Sequence, residues 1–210
     1  FAAITLLLTL GTLVIYFFEP TVVALEENRL MASFFQSMTA LTTVGFNTLP
    51  IGSFSLSALL ITILLMYVGA SPSGTGGGLK TTTLTALIAV IWNRIRANKQ
   101  VTFFGRVIPK ERLSVATSTF ILYATVLFTA TFLLTLTEDL TLEQILFETT
   151  SAIGTVGLST GITGTLTSWG KVVLIFVMFV GRLGILTFGL ALLARRKKIT
   201  SVAAEGDLAV

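Results

Sequence analysis

Two short runs of this chain carry nearly the same side chains in the same order. Residues 42–48 read TTVGFNT and residues 154–160 read GTVGLST, at a fixed offset of 112 residues. Each run follows a short apolar stretch and precedes a long one. Inside a membrane, a Thr-Val-Gly run can line up backbone carbonyls as a ring for dehydrated cations. The repeat therefore points to an ion pore built from copies of one unit.

Composition places those copies in lipid. The chain is 53% hydrophobic and 11% charged, with mean hydropathy +0.91, whereas soluble domains carry about 25% charged residues. A bilayer crossing needs roughly 20 mostly apolar residues. The windows 1–18, 113–136 and 169–194 meet that length, 54–70 is marginal, and 79–92 is too short to span alone. The absence of Cys excludes disulfides and thiolate metal sites, and the absence of His removes the commonest general base. The chain opens inside an apolar stretch with no initiator Met and no signal-peptide n-region, which reads as a piece of a longer frame.

Charge gives the topology. Arg94, Arg96, Lys99, Arg106, Lys110 and Arg112 crowd one loop, and Arg195, Arg196, Lys197 and Lys198 follow the last apolar window. The positive-inside rule makes both cytoplasmic. The basic balance is then a topology signal, and nucleic acid is not expected as a partner. Glu19, Glu26, Glu27, Glu138, Asp139, Glu143 and Glu148 fall outside. There they either raise local cation concentration or are ordinary solvated charges.

The expected architecture is an all-α integral membrane protein of two span–pore helix–span repeats. Residues 1–92 form the first repeat, 93–112 a basic cytoplasmic linker, 113–198 the second repeat and 199–210 a cytoplasmic tail. Leu30 to Leu41 and Thr141 to Ile153 are the pore-helix candidates, with Thr141 a good N-cap. The first is about 18 Å long at 1.5 Å per residue, too short to span. Such helices dip in and return, which is tolerated only when the turn is buried in protein or lines a wet cavity. Thr43, Val44, Gly45 and Phe46, with Thr155, Val156, Gly157 and Leu158, would then supply the carbonyls of a filter. The glycines permit the backbone conformations that aim carbonyls the same way.

Two further features suggest a gate. Residues 69–78 read GASPSGTGGG and will not continue a helix, so they break the second span of repeat one. Arg182 sits in the middle of the last window, where a charge costs about 2.5–3.5 kcal/mol to insert. The 112-residue offset pairs Ala70 with Arg182, so break and cation fall at equivalent depths. Ser73, Gly74, Thr75, Gly76, Gly77 and Gly78 would block the path while Arg182 repels cations. The other readings are a plain loop and a structural Arg. The GTGGGLKT run fails the nucleotide-loop spacing, since Leu79 separates Gly78 from Lys80.

This order of parts, with a broken helix in one repeat and an Arg in the next, resembles the Trk/Ktr/HKT superfamily of cation transporters. Within it the chain is most similar to KtrB-type or TrkH-type potassium-uptake subunits. The resemblance covers nearly the whole chain and implies the third and fourth of four repeats around a pseudo-fourfold pore. It implies that Gly45 and Gly157 coordinate K⁺, with Na⁺ also possible, that residues 70–78 are the intramembrane gating loop, and that Arg182 is the family's pore arginine. It also implies a multi-pass subunit of the cell membrane, a homodimer, and a cytoplasmic RCK-type nucleotide-sensing partner. Two filters cannot close a fourfold ring, so the other two repeats lie upstream in the parent chain or come from a second copy. The competing classes are a non-conducting scaffold subunit of a transport or ATPase assembly and a membrane enzyme. The second lacks any visible acid–base pair at membrane depth.

Overall fold

A computed structural model describes residues 2–25, 27–69, 76–96, 101–103 and 106–184. Repeat one opens with α1 (Ala2–Phe18) and a four-residue helix α2 (Pro20–Val23). It continues through α3 (Arg29–Leu41) and α4 (Leu56–Val68) and ends with α5 (Thr81–Ile95). A two-residue antiparallel ladder, β1 (Thr102–Phe103) with β2 (Arg106–Val107), follows. Repeat two is α6 (Lys110–Thr137), α7 (Leu142–Ile153) and α8 (Ser168–Leu183).

Local chemistry explains the starts and stops. Ser55 and Thr167 occupy the same place in the two repeats. Each hydroxyl accepts from a backbone N–H one turn in, Ala58 N at 3.4 Å and Gly170 N at 3.1 Å, so α4 and α8 begin alike. Thr141 starts α7 through a capping box with Gln144. Helix α4 ends because Gly69 turns to a φ of 57°. The chain then re-enters helix at Thr81, with Leu79 N bonded back to the Tyr67 carbonyl at 2.9 Å.

The expected elements appear within a few residues of their predicted limits, with a difference in length. By length and composition, α6 is the one helix among the described residues long and apolar enough to cross a bilayer. Helix α1 has 17 residues. The described part of α8 has 16, and the rest of the window to 194 lies outside the described residues. Helix α2 and the β-ladder were not anticipated. The ladder hides in a run whose Lys/Arg density reads as a linker, and it is pinned by Asn93, whose Nδ2 donates to the Thr102 carbonyl at 2.8 Å.

The repeats are interlocked. One buried cluster joins Leu7, Ile15, Leu41, Leu65 and Met66 of repeat one to Phe147, Val156 and Leu158 of repeat two. The other joins Tyr123, Ile145, Ile153, Leu174 and Val177 to Leu79 of repeat one. Helix α4 packs on α1, α3 and α7 together, so a helix of repeat one covers α7 of repeat two. Large apolar residues, including Phe17, Ile121, Phe128, Ile175 and Phe179, remain exposed around the outside. Such a surface suits lipid or further protein and not water.

Candidate functional site

The two Thr-Val-Gly turns are built alike. Thr43 and Gly45 have φ of 56° and 83°, Thr155 and Gly157 have 50° and 93°, and the intervening valines are not in the left-handed region. The valine N–H groups of the turns bond back to α3 and α7. Val44 N bonds the Thr39 carbonyl at 3.0 Å and Val156 N the Ser151 carbonyl at 2.9 Å. The hydroxyl of the same helix position takes one more donor: Thr39 from Phe46 N at 2.9 Å, Ser151 from Gly157 N at 3.2 Å. Among the described residues, no hydrogen bond is donated to the carbonyls of 43–46 or 155–158. The Thr43 hydroxyl is also buried without a partner.

The turns meet. A Cβ on Gly45 would collide with the Val156 carbonyl oxygen and crowd Gly157 Cα at 3.3 Å. Only glycine permits both this approach and the positive φ. On the corresponding face of Gly157, no described atom lies within 4 Å of an added Cβ. The side chains show the same inequality. Val156 and Leu158 are 4% and 2% exposed, packed into the first cluster, while Val44 and Phe46 are 52% and 69% exposed.

The glycine loop and the Arg182 turn converge on one point. A Cβ on Gly77 would overlap the Gly154 carbonyl and the Thr155 hydroxyl, and one on Gly181 would overlap the Ile153 carbonyl. Both elements therefore press on consecutive residues where α7 gives way to its turn. Lys80 Nζ donates to the Gly76 carbonyl and ties the loop to the start of α5. Gly76, Gly77 and Gly78 are thus beside the second turn, while Ser73, Gly74 and Thr75 lie outside the described residues. Arg182 is in the last turn of α8 and exposed in this chain.

Three carboxylates do something the sequence reading missed. Glu148 of α7 is buried, and its Oε1 accepts from Ser159 Oγ, from Thr160 N at 3.0 Å and from Thr160 Oγ1 at 3.3 Å. Its Oε2 accepts from Thr163 Oγ1 at 2.9 Å, so the carboxylate staples the segment just after the second turn to α7. Glu19, fully buried, accepts from Ser55 N and Ser55 Oγ, both at 2.9 Å, and so holds the start of α4. Glu138 does the same for α8 through Thr167 N at 3.1 Å and the Thr167 hydroxyl. Those Thr167 hydrogen bonds draw the Glu138 carboxyl below the usual carboxylate range. These acids brace the structure instead of serving as freely solvated outer charges. Lys171 donates to the Gly164 carbonyl at 3.1 Å.

The geometry is matched by kinship. The family model of TrkH cation transport proteins matches residues 2–202. The chain belongs to that family. It is 41% identical over 200 residues to Ktr system potassium uptake protein D of Bacillus subtilis, covering 90% of this chain and 44% of that protein. It is 37% identical over 190 residues to Ktr system potassium uptake protein B of Vibrio alginolyticus, covering 88% and 42%. A further relative, the potassium/sodium uptake protein NtpJ of Enterococcus hirae, is 36% identical over 174 residues, covering 81% and 38%. The chain thus spans under half the length of these relatives. The crystal structure of the potassium transporter TrkH from Vibrio parahaemolyticus superposes with a TM-score of 0.73 at 21% identity, covering 91% of this chain and 42% of that one. That likeness speaks for the fold. The superfamily resemblance drawn from the repeats is borne out, and the family is one of membrane transport proteins, not enzymes.

Proposed function

We propose that this chain supplies two adjacent quarters of the cation pore of a K⁺ uptake system. The observation that carries the proposal is the contact between Gly45 and the Val156 carbonyl, which brings together two turns of one hand whose carbonyls accept no described hydrogen bond. In this reading Thr43, Val44, Gly45, Phe46, Thr155, Val156, Gly157 and Leu158 replace a cation's hydration shell. K⁺ is the permeant ion, as the names of the Ktr relatives suggest, and Na⁺ is a second candidate because one relative is named for both.

The packing has a direction. Repeat two covers the Gly45 face of repeat one, and repeat one covers the Val156 and Leu158 side chains of repeat two. Carried around a ring, this order asks for one unit on the open face of Gly157 and another over Val44 and Phe46. Two further span–pore–span units of the parent chain fill those places. The loop 73–78 is the gate below the filter, with Arg182 beside it as an electrostatic barrier. At about 4 Å and an effective dielectric near 20, a like-charge contact costs roughly 4 kcal/mol, enough to slow permeation by orders of magnitude. Residues 93–112 and the tail face the cytoplasm, where an RCK-type subunit docks on the homodimer in the cell membrane.

The parent protein in liposomes tests this. Gly157→Ser weakens K⁺/Na⁺ discrimination without abolishing assembly, because it disturbs the carbonyl geometry of one turn and leaves the helix packing between units untouched. Arg182→Ala, or shortening the loop at 76–78, raises flux per folded molecule. Ion preference and flux both unchanged would remove filter and gate together.

A further inference from the structure

The last turns of α5 expose Ile88, Ile91, Trp92 and Ile95. Arg96 follows directly and lies over the Trp92 ring, 4.5 Å from its centroid. Across from them stands the β1–β2 hairpin. Asn93 fixes its distance, donating from Nδ2 to the carbonyls of Ala89 and Thr102, each at 2.8 Å, while the Thr102 hydroxyl bonds Asn93 Oδ1 at 3.3 Å. Between helix and hairpin is a cleft of about 440 Å³ walled by Ile88, Ala89, Trp92 and Phe103, with Arg96 on its rim. The Asn93 amide at its back is committed to holding the hairpin. The cleft therefore offers apolar walls and one pre-oriented guanidinium.

We propose that this cleft binds an anionic phospholipid, with an acyl chain along Ile88 and Trp92 and the headgroup phosphate on Arg96. Three observations favour that occupant. A tryptophan between apolar helix and basic loop marks the level of lipid headgroups. From residue 89 to residue 112 the chain carries Arg94, Arg96, Lys99, Arg106, Lys110 and Arg112 against Glu111 alone, a field that favours anionic over zwitterionic lipid. A guanidinium held over a ring also presents its edge for paired hydrogen bonds to phosphate oxygens. A free phosphate would leave the apolar walls unused. The proposal rests on the membrane placement of the family and not on the pore.

The test uses the parent protein in phosphatidylcholine vesicles doped with brominated phosphatidylglycerol or brominated phosphatidylcholine. The signal is the tryptophan quenching that disappears in Trp92→Phe. Half-maximal quenching should come at a mole fraction about fivefold lower for phosphatidylglycerol, the worth of roughly one basic contact. Arg96→Gln should abolish that preference and Arg96→Lys should keep part of it. Should Arg96→Gln fail to fold, salt replaces it, since the preference must shrink as ionic strength rises. Equal quenching by both lipids would overturn the proposal, as would a salt-independent preference. So would no Trp92 quenching, which would mean protein covers the cleft, or release of the lipid by inorganic phosphate.

Discussion

The two repeats share one backbone plan and differ in how finished they are. In repeat two the turn is enclosed: Val156 and Leu158 are buried and Glu148 ties the following segment to α7. In repeat one the turn is open: Val44 and Phe46 face outward. Gln36, at the position equivalent to Glu148, is fully buried with neither amide atom partnered. The difference teaches that a repeat of this kind is completed by its neighbour and not by itself. Repeat one finishes repeat two, and the surfaces left on repeat one have the same form as those it covers.

The largest effect is expected at the junction of the turns. Gly45→Ala drives a methyl into the Val156 carbonyl and adds about 1–2 kcal/mol for a side chain at positive φ. Gly157→Ala carries only the second cost against the described residues. In the parent protein the unit proposed on the open face of Gly157 should press on it as repeat two presses on Gly45, so thermal unfolding and K⁺ uptake should drop comparably in the two variants. A far smaller loss for Gly157→Ala would mean that no unit closes that face.

Next come the paired positions Gln36 of α3 and Glu148 of α7. Glu148→Ala leaves the donors on Ser159, Thr160 and Thr163 without their acceptor, a loss on the order of 3 kcal/mol. Gln36→Leu removes a buried amide that has no described partner and should be neutral or stabilising. Melting temperatures of both variants sharpen the comparison. A large loss at Gln36 would show that a neighbouring unit engages it.

The smallest effect separates the two helix-start braces. Glu19→Ala, at the fully buried brace, should lower the melting temperature more than Glu138→Ala at the half-buried one. Glu138 adds a pH signature. Its folded pKa lies below the ordinary value, so its contribution is present above the unfolded carboxylate pKa and fades as pH falls through the folded one. Glu138→Gln should flatten that acid limb by lowering stability at neutral pH, and leave stability below the folded pKa little changed.

The sequence exposed the plan and hid the braces, for reasons particular residues show. Thr-Val-Gly repeats, short apolar helices and the Gly-rich break are local signals, and α3, α7, both turns and the end of α4 at Gly69 fall where the residues indicate. Glu19 and Glu138 play one role, yet the fixed 112-residue offset sets Glu19 against Thr131 because the outer connection is longer in repeat one. Glu148 looks like any outer-loop acid until the segment 159–163 folds over it. The Gly45–Val156 contact pairs residues more than a hundred positions apart. No local pattern announces which face of which turn will be covered.

The central claim is that the carbonyls of the two turns form adjoining sides of one cation site. Anomalous diffraction from crystals of the parent protein grown in Rb⁺ or Tl⁺ tests it most directly. The account predicts density beside the carbonyl oxygens of Val44, Gly45, Val156 and Gly157 together, lost on replacing the ion by a large organic cation. An anomalous map with ions bound elsewhere and none between these turns would contradict it.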